Sequence, residues 1–137
     1  MTELLSAPAP TLVVVDLAAT VRYQGASGDF NPLHHDPAFA AAAGYDRPVA
    51  VGMHLAGLMS TWLTGWCDPD DVRRFAVRFR APVLVGDAVR VGGEVVERRW
   101  AEDGERLVVS LWCRRVDDEA TAVTGEAECL VTDGRTS

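Results

Sequence analysis

The stretch AVGMHLAGLMSTWLTGW, Ala50 to Trp66, is apolar around nearly the whole circumference of a helical wheel and holds no Asp, Glu, Lys or Arg. As a helix it is expected to be buried on all sides, not along a single stripe. Gly52, Gly57 and Gly65 interrupt it. Each weakens a helix interior by roughly 1 kcal/mol relative to alanine, so surrounding structure has to hold the helix in place.

The residues that follow supply such a surround, because they alternate with the two-residue period of strands. Phe75, Val77 and Phe79 oppose Arg78 and Arg80, and the next strand is expected from about Val83 to Arg99, with a bulge at Gly92-Gly93. Asp103-Gly104 reads as a hairpin turn. Leu107, Val109, Leu111 and Cys113 then share a face, Asp117-Asp118 turns the chain, and Val123, Ala127, Cys129 and Val131 oppose Thr124, Glu126 and Glu128. Upstream, the β-branched run Thr11 to Val15 reads as a first strand and Leu17 to Gly25 as a short helix.

One antiparallel sheet wrapped around one long buried helix satisfies this pattern, an α+β hot-dog arrangement in a single domain, residues 1–137. The sheet covers only part of the helix. A second subunit is therefore expected against the rest, giving a homodimer or a two-hot-dog assembly.

At 137 residues, with 48% hydrophobic and 24% charged residues, the chain has ordinary globular composition and the length for one core. A net charge of -7 argues against nucleic acid, whose binding needs clustered cations. Cys67, Cys113 and Cys129 form no C-x-x-C pair, and the odd count suits a reducing cytoplasm better than a disulfide framework. The opening MTELLSAPAP lacks the basic and apolar regions of a leader, and no apolar run reaches membrane-spanning length, so a soluble, cytoplasmic protein with no membrane partner is expected.

Chemistry concentrates in SGDFNPLHHD, Ser27 to Asp36, just ahead of the buried helix. Asn31-Pro32 favours a turn, so Asp29 and His34 can be brought to one pocket by a compact loop. A carboxylate beside an imidazole is a common proton-transferring couple near neutral pH. By spacing alone the same residues fit a capped turn with a loop histidine. Gly52 stands at the first turn of the helix, where N–H groups lack intrahelical partners and the dipole is positive. It either lets an oxygen gaining negative charge approach the backbone or relieves crowding.

Three blocks in order carry a resemblance. Tyr23 to His34 reads YQGASGDFNPLH and ends in G-D-x-N-P-x-H; Pro48 to Met53 reads PVAVGM; Arg74 to Val83 reads RFAVRFRAPV. Over most of its length the chain resembles the MaoC-like family of (R)-specific enoyl-CoA hydratases and 3-hydroxyacyl dehydratases. The resemblance implies that Asp29 and His34 act as base and acid on one face of the C2–C3 bond of an enoyl thioester, with Asn31 orienting the water or the pair. It implies the Gly52 N–H as donor to the thioester oxygen. No metal or redox cofactor is implied, because CoA or a carrier pantetheine is part of the substrate, in fatty-acid, polyketide, sterol or related metabolism.

The family has His where this chain has Val51, with His54 two residues beyond Gly52. Val51 and Met53 are therefore candidate pocket residues, and the acyl pocket is expected to differ. The short region before Tyr23 and the run His34-His35-Asp36 resemble small subunits of heteromeric MaoC hydratases acting on steroid side-chain CoA esters. A heteromer with a second MaoC-like subunit is thus one alternative. Another is a natural-product tailoring enzyme using the pair for a different proton transfer, such as a cyclisation. Hot-dog thioesterases usually carry a carboxylate on the long helix, and Ala50 to Trp66 has none.

His34, His35 and Asp36 are adjacent and point in diverging directions, which does not make a metal site. Trp62 and Trp66, four residues apart, either line an acyl tunnel or pack in the core. Arg78 and Arg80, with Arg73 and Arg74, either meet the phosphates of CoA or form a solvated strand face.

Overall fold

The computed structural model describes residues 6–132. The first five residues of the opening stretch read above for a leader lie outside it. Five strands, β1 (Thr11–Val14), β2 (Val72–Phe79), β3 (Ala88–Ala101), β4 (Gly104–Arg115) and β5 (Thr121–Leu130), form one antiparallel sheet in the order β1-β3-β4-β5-β2. Three helices accompany it: α1 (Leu17–Ser27), α2 (Pro37–Ala42) and α3 (Gly52–Thr64). Short 3-10 turns cover Pro32–His34 and Pro69–Asp71.

The hot-dog arrangement follows from which faces are apolar. Val89, Val91, Val109, Leu111, Cys113, Val123 and Ala127 line the inner face of the sheet, and Leu55, Met59, Trp62 and Leu63 of α3 pack with them in the buried core. Burying side chains of this size stabilises by about 1.5–3 kcal/mol each, which offsets the cost of Gly57 inside α3, Gly52 being its first residue and Gly65 its C-cap. The helix is shorter than its apolar run because Ala50 donates its N–H to Val83 O (2.8 Å) instead of entering the first turn.

Met53, Gly57, Thr61 and Gly65, at four-residue intervals, face outward in the single chain, on the part of the helix that the sheet does not reach. Two expectations need correction. β3 does not start at Val83. Leu84 makes an isolated bridge with Val49, Gly86 turns the chain at φ 102°, and the ladder begins at Ala88.

The bulge lies between Val95 and Glu97, not at the glycine pair, which keeps regular register with Trp112 and Leu111. Gly92 and Gly93 are there for space. A Cβ on Gly92 would lie 2.9 Å from the Trp112 ring, and one on Gly93 would lie 2.5 Å from Ser110 O. The two-residue loop Glu102-Asp103 joins β3 to β4, with Gly104 at φ 124° closing it. All three cysteines are free, and Cys67 and Cys129 line one small pocket, a proximity that 61 intervening positions concealed.

Candidate active site

The loop after α1 is built by local capping. Asp16 Oδ1 accepts from Ala19 N (2.8 Å) to start α1, and Gly28, at φ 77°, ends it with its N–H on Gln24 O. A left-handed residue closes a helix this way most easily as glycine. The chain then turns sharply: Asp29 Oδ1 accepts from Asn31 N (3.2 Å), and Asn31 Oδ1 accepts from Leu33 N (3.0 Å), starting the 3-10 turn that ends on His34.

These turns set Asp29 and His34 face to face, with His34 Nε2 3.8 Å from Asp29 Oδ2. The imidazole is oriented from its other side, because Nδ1 lies 2.5 Å from the carbonyl oxygen of Val49. A carbonyl only accepts, so Nδ1 presents its N–H there and Nε2 is left on the side of Asp29. His34 is almost wholly buried, its side chain 11% exposed, whereas the Asp29 side chain is 47% exposed. At 3.8 Å the two groups are in ion-pair range yet too far apart for a direct hydrogen bond. An oxygen of a small reactant can bridge them.

Gly52 begins α3 three residues beyond Val49, the residue that holds His34. No side chain caps this end; the His54 N–H turns back to Val51 O (3.0 Å), and the N–H groups of Gly52 and Met53 precede the first intrahelical bond. The Phe79 ring lies against Gly52, and a Cβ there would come within 3.0 Å of it. Crowding therefore accounts for the glycine by itself. The direction of its N–H, at the N-terminus of α3, is a separate matter.

Val51, just before this turn, is buried, while Met53 is 57% exposed. His54 stacks on Tyr23 of α1, with ring centroids 4.9 Å apart. Its buried Nδ1 has no hydrogen-bond partner, and burial lowers its pKa. Asn31 sits in the loop with Asp29 and His34. The remaining candidates lie elsewhere: Trp62 is core, its indole N–H on Ala9 O (3.1 Å), and one edge lines an apolar cleft of about 280 Å³ with Leu58 and Val91 that includes neither Asp29 nor His34. Arg78, on the edge strand β2, and Arg80, just past its end, are exposed. Arg73 and Arg74 pair with Asp103 and Glu126. No cluster of three or more His, Cys, Asp or Glu placed to hold a metal occurs among the described residues, and no helix there is long and apolar enough to cross a membrane.

One residue at the site was not singled out from sequence. Gln24, 2% exposed, donates from Nε2 to Asp29 O (2.9 Å) and Asn31 O (3.2 Å), and its Oε1 pairs with His35 Nδ1 (3.0 Å). A polar residue on the buried side of a short helix was the only available signal, and its partners are carbonyls that no side-chain pattern reveals.

The hot-dog sheet around one helix is shared with relatives named hydratases and dehydratases, and they make the chain an enzyme of the hydro-lyase class. The chain belongs to the MaoC like domain family, which matches residues 6–113. It is 38% identical over 113 residues to the (R)-specific enoyl-CoA hydratase of Aeromonas caviae, covering 80% of this chain and 81% of that protein. The solved (R)-hydratase from A. caviae involved in PHA biosynthesis superposes with a TM-score of 0.78 over 90% of this chain and 93% of that one, at 32% identity. Other relatives are much longer: the match to mouse Peroxisomal multifunctional enzyme type 2, 39% identical over 67 residues, spans 9% of that protein.

Proposed function

We propose that the chain catalyses reversible hydration of a trans-2-enoyl thioester to the (R)-3-hydroxyacyl thioester. The observation that carries this reading is His34, with Nδ1 fixed on Val49 O and Nε2 aimed at Asp29 Oδ2 across 3.8 Å. That gap suits one water oxygen held by both groups.

In the hydration direction the pair takes a proton from this water as its oxygen bonds C3. The C2–C3 π electrons move onto the thioester oxygen as an enolate, and a proton returns from the pair to C2. Protons balance, with one taken and one given on the same face. The Gly52 N–H at the positive end of α3 is the donor for the enolate oxygen, and Asn31 holds the loop in which Asp29 turns. CoA or a carrier pantetheine enters as part of the substrate. The residues assigned here need no further cofactor for this chemistry.

The surface beside the pair suits a second subunit. Phe30, Met53 and Phe79 are 65%, 57% and 52% exposed, and these apolar side chains occur at or next to Asp29 and Gly52. A copy of this chain, or a second MaoC-like subunit, laid on that surface would shield the half-exposed Asp29 and close the acyl pocket.

Loss of enoyl-thioester absorbance, followed with crotonyl-CoA and longer enoyl-CoAs, tests the reading. Wild type is expected to hydrate at least one of them, and Asp29→Asn and His34→Ala to lose about 10²-fold or more. No hydration of any enoyl thioester, with or without a MaoC-like partner, sinks the function. Full rates in both variants sink the site.

A further inference from the structure

Gln24 occupies a demanding position. Its side chain is almost fully buried, and every polar atom is committed: both amide hydrogens to the main-chain carbonyls of Asp29 and Asn31, and the oxygen to His35. Because two of the three partners are carbonyls, the amide has only one workable orientation, with Nε2 on the loop and Oε1 toward the ring. Oε1 only accepts, so His35 presents Nδ1–H to it, and that bond survives whether His35 is neutral or protonated.

The bonds fall on either side of the reacting carboxylate. Between the two clamped carbonyls lies the turn in which Asn31 N–H takes Asp29 Oδ1, leaving Oδ2 to face His34. Shift that turn, and Oδ2 moves relative to Nε2. The neighbouring Tyr23 stacks on His54 in the first turn of α3, so consecutive residues of α1 hold the acid–base loop and the helix of the proposed oxyanion donor.

We propose that Gln24 is a positioning residue for the Asp29–His34 pair, with His35 locking its amide, so that α1 fixes the spacing between the carboxylate and the imidazole. This rests on the acid–base reading above. Gln24 touches no substrate and acts through Asp29.

The test is a double-variant cycle on the full chain with an enoyl-CoA that wild type hydrates. Gln24→Met keeps the length of the side chain and removes both donors. It is expected to lower kcat about 10- to 100-fold, the scale of a misplacement of around 1 Å, with KM changed less than about threefold. In an Asp29→Asn background the same change is expected to cost less than about threefold, since the group it positions is already disabled. A merely structural role predicts losses that multiply.

His35→Leu, at an exposed position, removes only the lock; it is expected to lower kcat about threefold or more in wild type and to add nothing to Asp29→Asn. Should Gln24→Met not fold, this pair of measurements decides alone. Multiplying losses, or an unchanged kcat in Gln24→Met or His35→Leu, overturns the proposal while leaving the hydratase reading intact. A full rate in Asp29→Asn by itself overturns the acid–base reading of the site first, and leaves the activity standing.

Discussion

The two readings of Gly52 separate in one pair of substitutions, Gly52→Pro and Gly52→Ala. Gly52 is the first residue of α3, a position where proline is well tolerated because the missing N–H has no intrahelical acceptor. The residue before a proline has to be extended, and Val51 already is, at φ -66° and ψ 122°. Proline therefore deletes one N–H with little cost to the helix. Both variants place a Cβ about 3.0 Å from the half-exposed Phe79 ring, which can turn aside. That shared crowding is expected to cost each about 1 kcal/mol of stability, read from urea denaturation. If the N–H stabilises the enolate oxygen, Gly52→Pro loses a further factor of about 10² to 10³ in kcat relative to Gly52→Ala, or about 2.7–4 kcal/mol. The assay is steady-state hydration of an enoyl-CoA by both variants at matched folded concentration. Equal kcat values in the two would refute the oxyanion role and leave crowding as the whole reason for the glycine.

Two further outcomes are expected. Burial holds the pKa of His54 below its ordinary value, so the unfolded chain binds a proton there at a pH where the folded chain does not. Its contribution is therefore complete above about pH 6.5 and is lost as pH falls below that value through the lower folded one. Melting curves from pH 7.5 to 5.5 are expected to show a decline that is shallower in His54→Leu, and parallel declines would refute the assignment. Separately, light scattering is expected to give at least twice the chain mass for the wild type, and Met53→Asp, which puts a charge on the uncovered face, is expected to lower it. A monomeric, fully active wild type would refute a second subunit at the site.

What could be read from sequence was whatever leaves a periodic or local mark. The alternation of Leu107 to Cys113 and of Val123 to Cys129 was enough to place β4 and β5, because one face of each is buried. Asn31-Pro32 signalled the turn that joins Asp29 to His34, since Asx capping and proline restrict the backbone locally. Gly92-Gly93 was misplaced as a bulge because a strand glycine marks either an irregularity or a close approach, and Trp112, Ser110 and Trp62 made it the second. Gln24 and the proximity of Cys67 to Cys129 were not legible, because each depends on partners brought near only by the tertiary fold.

The same distinction bears on how far the function follows. The polar machinery is held largely by main chain: Val49 O orients His34, the Asp29 and Asn31 carbonyls receive Gln24, and the proposed oxyanion donor is a peptide N–H. Main-chain groups are present whatever residue supplies them, so this geometry can persist while the surrounding side chains diverge. Substrate choice, by contrast, depends on side chains. Val51 is buried at the start of α3, so under the proposed reading it bears on the pocket wall at that turn and not on the Asp29–His34 pair. Phe30, Met53 and Phe79 are exposed at or next to Asp29 and Gly52, the surface proposed for a second subunit. We therefore expect substitutions at these three positions to change which enoyl thioester is accepted, acting on KM and chain-length preference, while changes at Asp29, His34 and Gln24 act on kcat for every substrate.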